Sequence, residues 1–292
     1  MIDKKINKLR NLIKLNNIDG YIVPKNDEFF SEYAFPNRLK TISNFSGSAG
    51  LAIILKDKNF LFVDGRYTLQ SKIESGNNFK IIEIPKLLPH DLLRKYKKKL
   101  FLGFDPKLFT NNSLKRSFKD SCNLFPINQN LIDLIDAKKI YDHRKEPFYI
   151  LDDKVVGESV NSKISKLILN LKKNKIDNIF ISAPENVAWL LNLRGKDNPY
   201  SPIPNCQIIL TKNKKIYFFS SKNKIVKIKN QYPYKNFNFS DFNEFTSLIN
   251  ELTGKYFSID SSTCSVFNET IIKSKFNCKS SVDPCYEMKA IK

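Results

Sequence analysis

A two-domain α/β protein in which one structural unit is used twice is the fold class this sequence predicts. Three observations carry the prediction: the length, an ungapped internal repeat, and paired apolar strands at matching places in both halves. At 292 residues the chain exceeds the usual single-domain size, and each half is long enough to bury its own core. Hydrophobic residues make up 41% of it, and 23 Phe with 12 Tyr supply aromatic area that disordered chains lack.

The first element of each half is a helix. Lys5-Ile6-Asn7-Lys8-Leu9, with Lys14, Asn16 and Ile18-Asp19, aligns at an offset of 158 with Lys163-Ile164-Ser165-Lys166-Leu167, with Lys172, Asn174 and Ile176-Asp177. Ile6, Leu9 and Ile13 in one copy, and Ile164, Leu167 and Leu171 in the other, fall at helical spacing and predict an amphipathic helix. Each helix breaks at Asn and runs into an apolar strand, Tyr21-Ile22-Val23 or Ile179-Phe180-Ile181. Hairpin-like pairs follow: Leu51–Leu55 with Phe60–Val63, and Gln207–Leu210 with Lys215–Phe219. A further apolar strand, 100–105 or 256–260, is expected to close each half. A repeat this long means two similar domains and not a solenoid, whose repeats are far shorter.

Charged residues and Pro147 interrupt the apolar rhythm between Lys138 and Lys154, which places the boundary there. The expected domains are 1–145 and 146–285. Residues 286–292, ending Glu287-Met288-Lys289-Ala290-Ile291-Lys292, read as the opening of a further domain.

Composition excludes several functions. The formal charge of +20 suggests phosphate binding, yet only 7 of the 49 basic residues are Arg, and the 42 Lys are spread along the chain. No nucleic-acid partner is expected. The charged start Met1-Ile2-Asp3-Lys4-Lys5 is unlike a signal peptide, and no run of about 18 apolar residues occurs. The expectation is a soluble cytoplasmic protein without a membrane partner. Cys122, Cys206, Cys264, Cys278 and Cys285 form no C-x-x-C pair, which argues against a disulfide framework and a structural zinc site. The two histidines, His90 and His143, have no second ligand at metal spacing.

Four segments invite a functional reading. Ser46-Gly47-Ser48-Ala49-Gly50 is either an anion cradle of converging N–H groups or a tight connection into the strand at Leu51; it carries no Walker lysine, G-x-G-x-x-G order or G-x-S-x-G elbow. Asp64-Gly65-Arg66-Tyr67 follows a strand: Arg66 either reaches a peptide carboxylate or pairs locally while Asp64 caps the next helix. Trp189 sits among Ala188, Leu190 and Leu191, and is expected as a core or interdomain anchor. Arg194-Gly195, Asp197 and the Pro199, Pro202, Pro204 run read as an exposed surface.

Taken together, Tyr21-Ile22-Val23-Pro24, Asp27, Ser31-Glu32-Tyr33, Ile42 to Gly50 and Asp64-Gly65-Arg66-Tyr67 with Gln70 resemble the first domain of the three-domain Xaa-Pro aminopeptidases. Ala188 to Gly195, Asp197, Pro199-Tyr200 and Pro202 are similar to the second domain, and Asp133 to Asp136, Tyr141, Asp142, Arg144 and Pro147 to the stretch between them. Phe29 stands where the family usually has His, and Tyr141 where it has Trp.

The resemblance implies two related creatinase/prolidase N-terminal-like domains, each a mixed β-sheet flanked by helices. It implies the non-catalytic region of a cytosolic metallopeptidase that removes the residue preceding proline, with a catalytic pita-bread domain beyond it. Two divalent metals, manganese or similar, are expected in that domain, and no catalytic or metal residue and no cofactor in this chain. The expected partners are the chain's own catalytic domain, a second copy in a homodimer, and peptides with proline at the second position. Phe45, Arg66, Tyr67 and Arg194 are the candidate residues at the substrate entrance. The alternative is a stand-alone dimerisation or peptide-binding module without catalysis.

Overall fold

The protein, seen in a computed structural model, is described over residues 2–136, 146–229 and 236–291. It divides into two compact units, Met1–Ile140 and Tyr141–Lys292, each with its own six-stranded sheet. Tyr141, Asp142, His143 and Arg144, with most of the expected boundary, lie outside the described residues.

In the first unit helix α1 (Ile2–Leu15) buries Ile2, Ile6, Leu9 and Ile13 along one face. Strand β1 (Gly20–Pro24), helix α2 (Arg38–Ser43) and the strands β2 (Leu51–Leu55) and β3 (Asn59–Asp64) follow. Then come α3 (Thr68–Ser75), β4 (Lys80–Ile84), α4 (Pro89–Leu93), β5 (Phe101–Phe104), α5 (Asn111–Phe118), β6 (Asn123–Pro126) and α6 (Leu131–Ile135). The sheet runs β4-β3-β2-β1-β5-β6. Its centre, β1, β2 and β3, is antiparallel, while β4, β5 and β6 join in parallel, so the sheet is mixed.

The second unit opens with β7 (Tyr149–Ile150), α7 (Asp153–Val156), α8 (Val160–Lys173), β8 (Asn178–Ile181), α9 (Pro184–Leu190) and β9 (Leu193–Arg194). It continues through β10 (Gln207–Thr211), β11 (Ile216–Phe219), α10 (Lys222–Lys229), β12 (Phe237–Ser240) and α11 (Phe245–Glu251). It ends with β13 (Tyr256–Ile259), α12 (Val266–Lys273), β14 (Asn277–Ser280) and α13 (Pro284–Ala290). Its sheet runs β12-β11-β10-β8-β13-β14, the same order and the same strand directions as the first.

The duplication therefore holds through the opening helix and all six strands of each main sheet, while β7, α7 and β9 belong to the second unit alone. Helices α1 and α8 begin and end at the offset of 158 read from the sequence, and Tyr21–Val23 and Ile179–Ile181 occupy equivalent strands. Both helices end alike: Asn17 (φ 53°) and Lys175 (φ 54°) turn left-handed, and the next amide, Ile18 or Ile176, reaches back to the carbonyl of Ile13 or Leu171. This return bond satisfies helix-end carbonyls and points the chain into the central strand.

The repeated aspartate serves that same junction. Asp19 accepts the Phe101 amide and pairs with Lys56, while Asp177 accepts the Lys255 and Tyr256 amides and pairs with Lys212. Each ties the start of the central strand to the parallel strand beside it and to the hairpin turn. The Lys212 ammonium, and then the Tyr256 amide, draw the Asp177 carboxyl down to about 2. A depressed folded-state value contributes stability above the ordinary carboxylate range and loses it as pH falls towards about 2. Because Lys212 is half exposed, the contribution is discounted to about 1–2 kcal/mol at neutral pH. Asp177→Asn should unfold at lower urea than the parent at pH 7, and the gap should narrow progressively below about pH 5 and close only beneath about pH 2. A gap independent of pH would assign the effect to shape and not to charge.

One expectation is corrected. The apolar strands at 100–105 and 256–260 do not close the halves: β5 and β13 are each followed by a helix, an edge strand and a final helix. The missed strands, Asn123–Pro126 and Asn277–Ser280, are short and largely exposed at the sheet edges, so they show no run of buried residues.

Candidate functional site

In the first unit, three of the four candidate residues form one stack. Phe45, just after α2, is fully buried against Leu39 and β2. Its ring meets Tyr67 edge-on at 5.6 Å between centroids, and the Arg66 guanidinium lies 5.1 Å from the centre of the Tyr67 ring. Arg66 itself is 70% exposed. Phe45 thus backs the stack from within the core, and Arg66 presents it to solvent.

The strand end fixes this arrangement. Asp64 closes β3, accepts the Arg66 amide at 2.9 Å and holds its side chain in an ion pair at 2.7 Å, so the local pairing weighed in the sequence is present. The Arg66 guanidinium keeps the Asp64 carboxyl below its usual range. Beside it the loop Ser46 to Gly50 is a tight connection. A Cβ on Gly47 would come within 2.2 Å of the Phe45 ring, so a glycine is needed for that close approach. The Ser46 amide and hydroxyl both donate to Glu74, at 2.7 and 2.6 Å, and Gln70 donates to both Ser46 and Glu74. The Ser46 N–H of the conceivable anion cradle is therefore spent on the chain's own carboxylate. Ser48 and Tyr67 share a hydroxyl hydrogen bond of 2.8 Å.

Sequence reasoning did not single out Arg38. It is 6% exposed, donates to both oxygens of Asp133 at 2.9 Å and to Glu28 at 2.8 Å, and its Nη1 has no partner among the described residues. Asp133, read as part of an interdomain stretch, lies in α6 of the first unit. Asp27, in the segment quoted for the resemblance, is buried and accepts the Phe29 and Ser31 amides, and burial raises its carboxyl. Only the Asp–Arg separation of 95 residues hides the pair from a local reading.

In the second unit, Arg194 lines an open cleft of about 780 Å³. The walls come from residues 151–166, the end of α9 with β9, and the last helix, including Leu151, Val155, Trp189 and Met288. Arg194 Nη1 donates to the Ala188 and Leu193 carbonyls, at 3.1 and 2.7 Å. Trp189 is half buried, with its ring against the core of this unit and on the cleft wall. Asp197, read as exposed, is buried in an ion pair with Lys224. That correction follows from α10, whose lysine folds inward over the Phe148 ring.

Lys163 is the residue of this cleft that sequence reasoning missed. It is 2% exposed, and its ammonium donates to the Trp189 carbonyl and to Asn192 Oδ1 while lying 4.7 Å from the Trp189 ring centre. Asn192 is held in the left-handed region (φ 53°) and donates in turn to Asp153 and the Glu158 carbonyl. Burial lowers the Lys163 ammonium to about 8; Glu158 opposes the shift and Arg194 adds to it. Its counterpart in the first unit, Lys5, pairs with Asp136 near the surface, so the repeat gave no sign of burial.

Helix α13, which takes in residues 286–290 of the expected further opening, lies against this second unit. Cys285 is in its core, Lys289 donates to Asn186, and Tyr286 donates to Glu185 at 2.8 Å. Cys122, Cys206, Cys264 and Cys285 are buried and Cys278 partly so; burial pushes the Cys122 and Cys278 thiols up to about 11, away from thiolate chemistry. Among the described residues no group of three or more His, Cys, Asp or Glu could hold a metal ion, and no helix is long and apolar enough to cross a membrane.

Comparison with known proteins accounts for both units. Residues 5–136 match the Creatinase/Prolidase N-terminal domain, and residues 142–292 match a second family of the same description. Xaa-Pro aminopeptidase 1 of Dictyostelium discoideum is 33% identical over 250 residues, which are 80% of this chain and 40% of that protein. A probable Xaa-Pro aminopeptidase P of Aspergillus fumigatus is 35% identical over 72% of this chain and 34% of its own length. The crystal structure of the X-prolyl aminopeptidase of Caenorhabditis elegans, described as a cytosolic enzyme with a di-nuclear active site, superposes with a TM-score of 0.85 at 25% identity. That likeness covers 97% of this chain and 50% of the Caenorhabditis chain. The chain thus spans about two-fifths or less of these curated relatives. With one such match in each unit, the chain belongs to the creatinase/prolidase N-terminal domain family, which it carries as two domains in tandem.

Proposed function

We propose that this chain is the non-catalytic N-terminal region of an Xaa-Pro aminopeptidase, acting in the cytoplasm within a homodimer. One observation carries the reading: the likeness to the Caenorhabditis X-prolyl aminopeptidase runs through nearly all of this chain and stops at half of that one. Hydrolysis of peptides with proline at the second position, and the two divalent metals that support it, belong in this reading to a further domain. The described residues do not fit a metal pair, so no chemical step is assigned to them.

The role left to the two units is to shape the mouth of that active site. Steric walls can separate short peptides from folded chains where local chemistry does not. Arg66 and Tyr67, backed by Phe45, offer a cationic and aromatic edge in the first unit, and Arg194 a cationic one in the second. The chain alone, given manganese and a fluorogenic Xaa-Pro peptide, should show background turnover; metal-dependent turnover proportional to protein would overturn the reading. In a polypeptide that also carries the catalytic region, Arg66→Ala should lower kcat/KM for acidic or longer peptides about fivefold, with metal content unchanged. Equal kinetics across a peptide-length series would remove Arg66 from the entrance, and a chain that dimerises without influencing peptidase kinetics would be a stand-alone module.

A further inference from the structure

The cleft of the second unit has features that a structural wall does not require. Its volume of about 780 Å³ lies in the range of small-molecule sites. Its lining combines an apolar wall, Leu151, Val155, Met288 and the Trp189 ring, with three cations, Lys163, Lys166 and Arg194.

The charges are not balanced within the cleft. Glu158 is the one carboxylate on its wall, and it is held by Lys166 at 2.7 Å and by the Ser162 hydroxyl at 2.6 Å. That leaves Lys163 and Arg194, close enough for Arg194 to oppose the charge of Lys163. Asp153 and Cys285 also face Lys163, and Asp153 is engaged by the Asn192 amide. Arg194 uses Nη1 on two carbonyls, and its Nε and Nη2 make no hydrogen bond among the described residues. Three cations, Lys163, Lys166 and Arg194, against two carboxylates, Glu158 and Asp153, leave a surplus of one positive charge beside the free edge of Arg194, which favours a single negative charge there. The apolar wall favours an uncharged body attached to it.

We propose that this cleft binds a small apolar carboxylate, its carboxylate between Arg194 and Lys163 and its apolar body on Leu151, Val155, Met288 and Trp189. The shared chemistry covers a free aliphatic acid and the C-terminal carboxylate of a short apolar peptide. A phosphate ester, which carries up to about two negative charges at pH 7, is disfavoured because Asp153 already faces Lys163 and the surplus is one positive charge. The inference concerns the second unit by itself and gives Arg194, the cationic edge of the entrance role proposed above, a ligand that can be titrated without any peptidase activity.

The protein supplies its own reporter, since Trp189 is the single tryptophan of the chain and lies on the cleft wall. Titration with hexanoate and with N-acetyl-Leu-Leu, each against its methyl ester, should give a saturable change in Trp189 emission for the acids and at least tenfold weaker binding for the esters. The tighter of the two acids identifies the source. Arg194→Gln should weaken the acids about tenfold or more, as expected for loss of a charge-assisted pair. Val155→Asp, at a well-exposed position on the rim, should abolish binding by repulsion while leaving the urea midpoint unchanged. Equal binding of acid and ester, tighter binding of hexyl phosphate than of hexanoate, no saturable change with either acid, or unchanged affinity in both folded variants would overturn the proposal.

Discussion

Asp197→Ala is expected to destabilise the second unit by about 3–5 kcal/mol, the largest single effect at a polar position. The Asp197 side chain is fully buried and paired with Lys224, which is 2% exposed. Its other oxygen accepts the Asn205 amide at 2.8 Å, and the Lys224 ammonium sits 4.7 Å from the Phe148 ring centre. Removing the carboxylate strands an ammonium in the core, which costs far more than the pair itself contributes. Urea unfolding followed by Trp189 fluorescence reads this unit directly. The double variant Asp197→Leu, Lys224→Met should recover much of the loss, because no buried charge is left unpaired. A single-variant loss under about 1 kcal/mol, the level of an exposed pair, would show that Lys224 escapes to water.

Phe45→Ala should cost about 3–5 kcal/mol in the first unit, for a different reason. The ring is fully buried, fills the space that Gly47 and Gly50 leave beside it, and supports Tyr67. Deleting it opens a cavity that the sheet cannot close, since β2 and α2 hold its walls. No tryptophan lies in this unit, so circular dichroism must be compared with Trp189 emission: the first should move to lower urea and the second should not. Tyr67→Phe, which removes only the hydroxyl shared with Ser48, should change stability by no more than about 1.5 kcal/mol. Losses of similar size in the two variants would mean that the stack is held from Tyr67 outward and not from Phe45.

These effects separate two kinds of candidate residue that looked alike in the sequence. Phe45, Arg66 and Tyr67 were grouped because aromatic and polar side chains flank strand ends, and they do meet in space. Their grouping followed from local order, since Arg66 and Tyr67 are adjacent and the hairpin β2–β3 returns the chain to the loop after Phe45. Which of them faces water did not follow, because that depends on α2 and on the packing of Gly47 and Gly50 against one ring.

The duplication, the two helices with their buried faces, the central strands and the hairpins were all legible in the order of the residues. Each is written in a local period of apolar residues, and periodicity is a short-range property that survives without knowing what packs where. Which charges lie inside was not legible there and followed from the folded arrangement. Lys5 and Lys163 occupy the same place in the repeat, yet one meets Asp136 near the surface and the other the Trp189 carbonyl and Asn192 in the interior. Arg38 with Asp133, and Asp197 with Lys224, are likewise joined across long stretches of chain. The burial of a charge depends on partners brought from distant segments, because its desolvation is offset only where the whole fold supplies an acceptor or a counter-charge, and no local pattern encodes that.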